Sequence, residues 1–393
     1  MNDLAKYVCG EKTCNSCSVC LDFCPVKAIN LERKSEYSNA VIDKKKCIDC
    51  KLCKRICPRN NLNFKFKKPE KWFQGWSKND IIRSNSASGG AASEIMHSFI
   101  KSGGKVVTCC FMNGKFVYRV IEKQENLENA AGSKYVKSDP SGIYKTIISQ
   151  LKNNRILFIG LPCHVAALYN VVKPELLDNL YTIDLICHGT PSPDLLKRYL
   201  YEHGYDLNKL KTISFRENNN YCLSVDGFLI ESNMITDNYI FSFLNRITFT
   251  ENCYNCSFAQ IKRISDITLG DSWGSDLDDT QKAKGISLIL CQTSKGEELL
   301  SMSNMELLYV DLKRAIENNK QLKSPALKPQ NREKFFRLFN KGIKYDRIVF
   351  RIEPVMCIKR FIKKIMSVLP CPPALNLRKI PVIKAAKRNK NNQ

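Results

Sequence analysis

The sequence predicts three pieces in series: a small α+β module at the amino end, a larger α/β domain, and a basic, partly helical C-terminal extension. Three observations predict them. Eight cysteines in the first 67 residues form two copies of one motif. From about residue 80 to 325, apolar β-type runs alternate with helix-like stretches, the pattern of strands covered by helices. From Arg332 to Gln393 there are 17 Lys and Arg against 3 Asp and Glu. The expected boundaries are 1–67, 68–329 and 330–393.

The bulk numbers narrow the chemistry. With 393 residues, 44% apolar and 25% charged, the chain is long enough for two or three cores and is neither disordered nor fibrous. No run of about 18 apolar residues occurs, and MNDLAKYVCG lacks the charged-then-apolar pattern of a secretory signal, so the expected location is cytoplasmic. In that reducing compartment 19 cysteines are not mostly disulfides, which turns their arrangement into a question of metal binding.

The first copy is Cys14, Cys17, Cys20 and Cys24 followed by Pro25; the second is Cys47, Cys50, Cys53 and Cys57 followed by Pro58. A β-type run, AVID at 40–43, leads into the second. Close spacing lets one tight loop converge several thiolates on a compact core, and the proline-fixed fourth cysteine ligates the other cluster in two-cluster ferredoxins. The expectation is a ferredoxin-like module with two 4Fe-4S clusters, one on Cys14, Cys17, Cys20 and Cys57, the other on Cys47, Cys50, Cys53 and Cys24. A pair of zinc sites is the alternative, but zinc gives no reason for a third evenly spaced cysteine or a duplicated CP ending.

The segment NFKFKKPEKWFQGW then reads as a linker. Strands are expected at 105–111, 155–160, 181–187, 265–271 and 286–292, several followed by helix-like stretches. Cys163 lies just beyond one of these strands and Cys187 at the end of another, at expected helix starts, where backbone amides and the helix dipole favour thiolates. With the pair Cys253 and Cys256 they have the ligand count for a third 4Fe-4S cluster. Alternatively, Cys163 and Cys187 are buried small side chains and the pair is a zinc or redox site. Cys109, Cys110, Cys222, Cys291, Cys357 and Cys371 read as packing residues, and Cys9 as an unengaged residue at a mobile end.

The cysteine module, followed by SASGG (86–90), GLPCHVAAL (160–168), ICHGTPSP (186–193), CYNC (253–256) and DITLGDSWG (266–274), resembles the coenzyme F420 hydrogenase/dehydrogenase beta-subunit family over about residues 10–330. The resemblance implies that the α/β domain binds a flavin, FAD, and that the protein is an oxidoreductase. Clusters would pass single electrons to or from a flavin that exchanges hydride with an organic substrate. Family members serve deazaflavin (F420) reduction, and similar chains are associated with polysaccharide biosynthesis; the implied substrate is one or the other. The implied partners are ferredoxin or another oxidoreductase subunit, with an organic hydride donor or acceptor. The alternative is an electron-carrier subunit with no substrate site of its own.

Within that resemblance Ser86, Ser88, Gly89 and Gly90 precede a helical stretch and can hold a phosphate group; on residues alone a Ser-capped helix start is as good a reading. Asp271 and Trp273 can line the flavin or substrate pocket at a strand end, or cap a turn and fill the core. His164 and His188 adjoin the candidate cluster cysteines and are read either as hydrogen-bonding neighbours of the cofactor or as structural histidines. His97 and His203 look incidental. No catalytic acid or base is identified, and no NAD, ATP or hydrolase signature is present.

In the tail, Ile358, Phe361, Ile362, Ile365 and Met366 form an apolar helical face, Lys359, Arg360, Lys363 and Lys364 interleave with them, and Pro370 ends the helix. Such a helix either lies on the inner face of the membrane or packs on the enzyme. The net charge of +24 prompts nucleic-acid binding, but no recognition motif supports a specific nucleic-acid partner.

Overall fold

The computed structural model describes residues 6–62, 64–217, 220–230 and 237–368, the side chains of 363–368 excepted. Cys371, Pro370 and the side chains of Lys363, Lys364, Ile365 and Met366 therefore lie outside the described residues. The strands are β1 (Ile29–Arg33), β2 (Ser38–Ile42), β3 (Lys71–Ser77), β4 (Lys105–Met112), β5 (Lys115–Ile121), β6 (Ile156–Gly160), β7 (Leu180–Leu185), β8 (Ile213–Glu217), β9 (Asn220–Val225), β10 (Phe228–Leu229), β11 (Ile267–Asp271), β12 (Ser287–Cys291) and β13 (Met305–Tyr309).

β1 and β2 pair antiparallel in the cysteine module, and β8 to β10 form a small antiparallel sheet. The remaining strands build one eight-stranded mixed sheet, ordered β13-β3-β12-β11-β7-β6-β4-β5. β4, β6, β7 and β11 are parallel; β3 shares their direction because it is antiparallel to β12, itself antiparallel to β11. The carboxyl ends of β3, β6, β7 and β11 therefore share one edge, where ligands bind in open α/β sheets.

All five apolar runs expected in the α/β region are strands of this sheet. The linker expectation is corrected: Lys71–Ser77 is β3, paired on both sides with β12 and β13. Its buried polar residues hid it. Gln74 donates to Asp276 at 2.8 Å and Ser77 to Glu94 at 2.5 Å, so both sit inside the sheet with partners.

Ile95, Phe99, Leu157, Ile183, Ile267 and Ile289 pack together in one core cluster, and Tyr144, Ile147, Phe158, Val165 and Leu168 in another. Cys17, Val19 and Ile56 belong to that second cluster, which docks the cysteine module on the α/β domain. A third core joins Leu195, Tyr199, Phe215 and Tyr239 to Phe335, Phe336, Tyr345 and Ile348 from the helices Arg332–Asn340 and Tyr345–Ile352. The start of the basic extension is thus core, each such ring contributing about 2 kcal/mol by burial. Among the described residues no helix is long and apolar enough to cross a membrane.

Candidate metal centre

The two cysteine copies repeat each other down to the backbone. Ser16 and Ser18 in the first copy have φ of 56° and 60°; Asp49 and Lys51, at the matching positions of the second, have 52° and 57°. Left-handed backbone is uncommon for such residues, and here it curls each loop before a short helix, Val19–Phe23 or Leu52–Arg55. Amides turn toward sulfur: Ser16 N donates to Cys14 Sγ at 3.3 Å, and Ala28 N to Cys24 Sγ at 3.2 Å.

These loops enclose two cavities. Cys14, Cys17, Cys20 and Cys57 line the first, and Cys24, Cys47, Cys50 and Cys53 line the second, so each fourth cysteine meets the other copy's loop. The first is buried; in the second, Cys50 is exposed. Burial pushes the Cys17 thiol up to about 12 and raises Cys20 and Cys53 as well. Thiols so placed stay protonated at neutral pH unless a metal takes their protons' place, which is the donor chemistry of a thiolate metal site. Among the described residues no group of three or more His, Cys, Asp or Glu closes around a single metal ion.

Cys9 corrects the sequence expectation. It is 8% exposed and lines the first cavity beside Cys14 and Cys57. The two thiols hydrogen-bond to it and hold it below the ordinary thiol range. Its segment is fixed to the module's hairpin: Tyr7 bridges Val41, and Val8 N donates to Ala40 O at 2.9 Å.

Cys163, Cys187, Cys253 and Cys256 are brought together around a third cavity. Cys163 is at the start of the helix Pro162–Tyr169 after β6, Cys187 lies past the end of β7, Cys253 is in the turn Glu251–Asn255 and Cys256 directly follows it. Burial pushes Cys187 up to about 12 and raises Cys163 and Cys256, each increased further by neighbouring thiols of the group. Hydroxyls of Thr190 and Thr250 lie 3.9 and 3.5 Å from Cys253 Sγ. Residues the sequence reading missed complete the wall. Lys137, buried, donates to Asn252 Oδ1 at 3.3 Å; Arg263 lies 3.5 Å from the buried carboxylate of Asp184. Asn15 lines both the first and third cavities and accepts from Asn252 at 3.3 Å.

The two histidines part ways. His188 lines the third cavity. His164 turns into the core, its Nδ1 2.9 Å from Tyr118 Oη, and burial lowers it to about 3. It is a structural histidine. Cys109, Cys110, Cys291 and Cys357 pack against core clusters, as expected; Cys222 is half-buried in β9. His203 ties Tyr199 O, at 2.8 Å, to Asp346, at 3.3 Å.

Ser86, Ser88, Gly89 and Gly90 come after β3 and the short helix Asp80–Ser84, Asp271 ends β11 and Trp273 lies just past it, on the same edge of the sheet. Ile286 O joins the two segments, accepting from the Ser88 hydroxyl and from Ser272 N, each at 2.9 Å. Gly89 is pressed between Gly75 O and Ser287 N, where a Cβ would collide with both. The Ser86 hydroxyl donates to Ile82 O at 2.7 Å. Asp271 is neither a cap nor free: Arg216 binds both its oxygens at 3.0 and 2.8 Å. Trp273 stacks on Tyr221, with centroids 6.4 Å apart.

A module with two cysteine-lined cavities, docked on a mixed α/β sheet, has the make-up of an iron-sulfur protein. The family comparisons agree in detail. Residues 13–74 match a 4Fe-4S dicluster domain, 72–143 the N-terminal and 153–314 the C-terminal part of the coenzyme F420 hydrogenase/dehydrogenase beta subunit. The two beta-subunit matches together cover more than half of the chain, and the protein belongs to this family. No curated protein matches it. Among solved structures, a chain of the F420-reducing [NiFe] hydrogenase complex from Methanosarcina barkeri is similar at 17% identity and a TM-score of 0.47, over 65% of this chain and 91% of that one.

Proposed function

We propose that the protein is an iron-sulfur flavoprotein that moves electrons between 4Fe-4S clusters and a flavin, FAD, exchanging hydride with an organic substrate. Cys14, Cys17, Cys20 and Cys57 would hold one cluster; Cys24, Cys47, Cys50 and Cys53 a second; Cys163, Cys187, Cys253 and Cys256 a third. When bound, the clusters supply single-electron steps and the flavin couples them to two-electron hydride chemistry. The carrying observation is the series of cysteine cavities, with Asn15 on the wall of both first and third.

The chain's own residues give that series a direction. At the outer end, Ile48 is 62% exposed beside Cys50, an apolar rim on which a ferredoxin or another oxidoreductase subunit can dock. At the inner end, His188 lines the third cavity and feels the charge of Asp271. Ser86, Ser88, Gly89, Gly90, Asp271 and Trp273 would border the flavin, with Arg216 orienting Asp271. The substrate in this reading is deazaflavin F420 or a polysaccharide-pathway intermediate.

Anaerobically purified full chain should hold ~12 iron and as many labile sulfides, four per cluster, together with FAD. Clusters without flavin would favour the carrier subunit; zinc without sulfide would overturn the proposal.

A peripheral membrane contact is a second part of the reading, supported by the helix Pro354–Val368. Cys357 packs on the body and Arg360 donates to Asn238 Oδ1 at 2.8 Å. Ile358 and Phe361 are 52% and 62% exposed, with Lys359 alongside. That side of the helix suits an anionic bilayer surface rather than the packed alternative. Phosphatidylglycerol vesicles should float the wild type but not I358E/F361E or a chain ending before residue 355. Equal flotation of all three removes the membrane contact.

A further inference from the structure

The first and second cavities follow one duplicated plan, and at one matched wall position a thiol stands against an alkyl side chain. Five positions before the first cysteine of each copy stands Cys9 in one and Ile42 in the other, and each lines the cavity of its own copy. Both are 8% exposed, so the position is a wall in both halves. In the first half alone the wall is a thiol, set against Cys14 and Cys57. Its backbone is held by the hairpin and by Asn60, whose Nδ2 donates to Val8 O at 2.8 Å.

A four-iron cube has four iron corners, and five thiols face this cavity. The motif spacing gives the corners to Cys14, Cys17, Cys20 and Cys57, which leaves Cys9 beside two ligand sulfurs. Resting on the cluster assignment above, we propose that Cys9 is an exchangeable fifth ligand of the first cluster, able to take the iron corner otherwise held by Cys57. In the exchange the iron-sulfur bond to Cys57 breaks and one to Cys9 forms. The proton leaving Cys9 passes to the Cys57 sulfur, and no electron is gained or lost. The second cluster, with Ile42 in the matching place, has no such replacement for Cys24.

The test compares anaerobically purified full-length wild type, C9V, C57A, C9V/C57A and C24A. Iron and labile sulfide per chain are counted, and the EPR spectrum of the reduced protein is recorded. C9V and C57A should each keep the wild-type iron content, whereas C9V/C57A and C24A should each lose one cluster, ~4 iron. Loss in C57A equal to that in C9V/C57A overturns the proposal, as does full retention in the double variant. Should C57A not fold, C14A is read in the same way, because Cys9 also touches Cys14. Failure of both to fold or to hold the cluster counts against the exchange. Wild type lacking iron and sulfide would instead overturn the cluster assignment itself, and the exchange with it.

Discussion

The two copies of the cysteine motif share spacing, helix placement and two matched left-handed backbone positions, yet they occupy opposite environments. Asn15, behind the first cysteine of the first copy, is 7% exposed and bonded to the α/β domain; Ile48, its counterpart, is 62% exposed. Cys17 belongs to a core of the larger domain, and its counterpart Cys50 faces solvent. Asp22 accepts from Gly142 N at 2.9 Å through both oxygens. Duplication therefore supplies two equal sets of cysteines, and docking makes them unequal: one inner, one outer. Burial and hydrogen bonding at sulfur are among the levers that set cluster potential, so with the proposed clusters in place the asymmetry would also be a redox asymmetry.

The largest break in the comparison should come from the matched pair C17A and C50A. Each removes a ligand, but C17A also opens the interface core. We expect both to lose ~4 iron and only C17A to lower stability further, by about 2 kcal/mol, in iron analysis and denaturant unfolding. Equal unfolding curves would mean that the two copies are equally peripheral.

A smaller effect is expected from N15L against I48N. The first leaves the buried Asn252 amide without its Asn15 partner and should cost about 1–2 kcal/mol; the second changes an exposed side chain and should stay within about 0.5 kcal/mol. Smallest is D22N. Burial raises the Asp22 carboxyl above its ordinary range. Its protonated form is therefore the one the fold favours, a stabilisation present below about pH 4 and lost as pH rises through the raised value. Wild type should gain on D22N as pH falls from about 7 to 4 in matched unfolding experiments, and a constant difference would contradict the burial of this carboxyl.

How much of this was legible depended on the kind of signal. The CxxCxxCxxxCP runs encode a local loop, so spacing, read with the rule that the fourth cysteine serves the other cluster in two-cluster ferredoxins, anticipated both cysteine groups that the structure brings together. The β-branched runs of β4, β6, β7, β11 and β12 were equally plain. β3 was not, because Gln74 and Ser77 are buried polar residues whose partners, Asp276 and Glu94, come from distant segments. Cys163, Cys187, Cys253 and Cys256 could be suspected only by ligand count, since the fold rather than the sequence brings them together. Lys137, Asn15, Arg263 and Arg216 carried no periodic mark at all. Cys9 did carry one: laying the two copies over each other sets it opposite Ile42.

The most direct test counts iron and labile sulfide in the anaerobically purified full chain before and during exposure to an external chelator. The account predicts iron with equimolar sulfide, lost in separate phases, a fast one of ~4 iron from the exposed second site and slower ones from the buried sites. Zinc in place of iron, or loss of all the iron in a single phase, would contradict it.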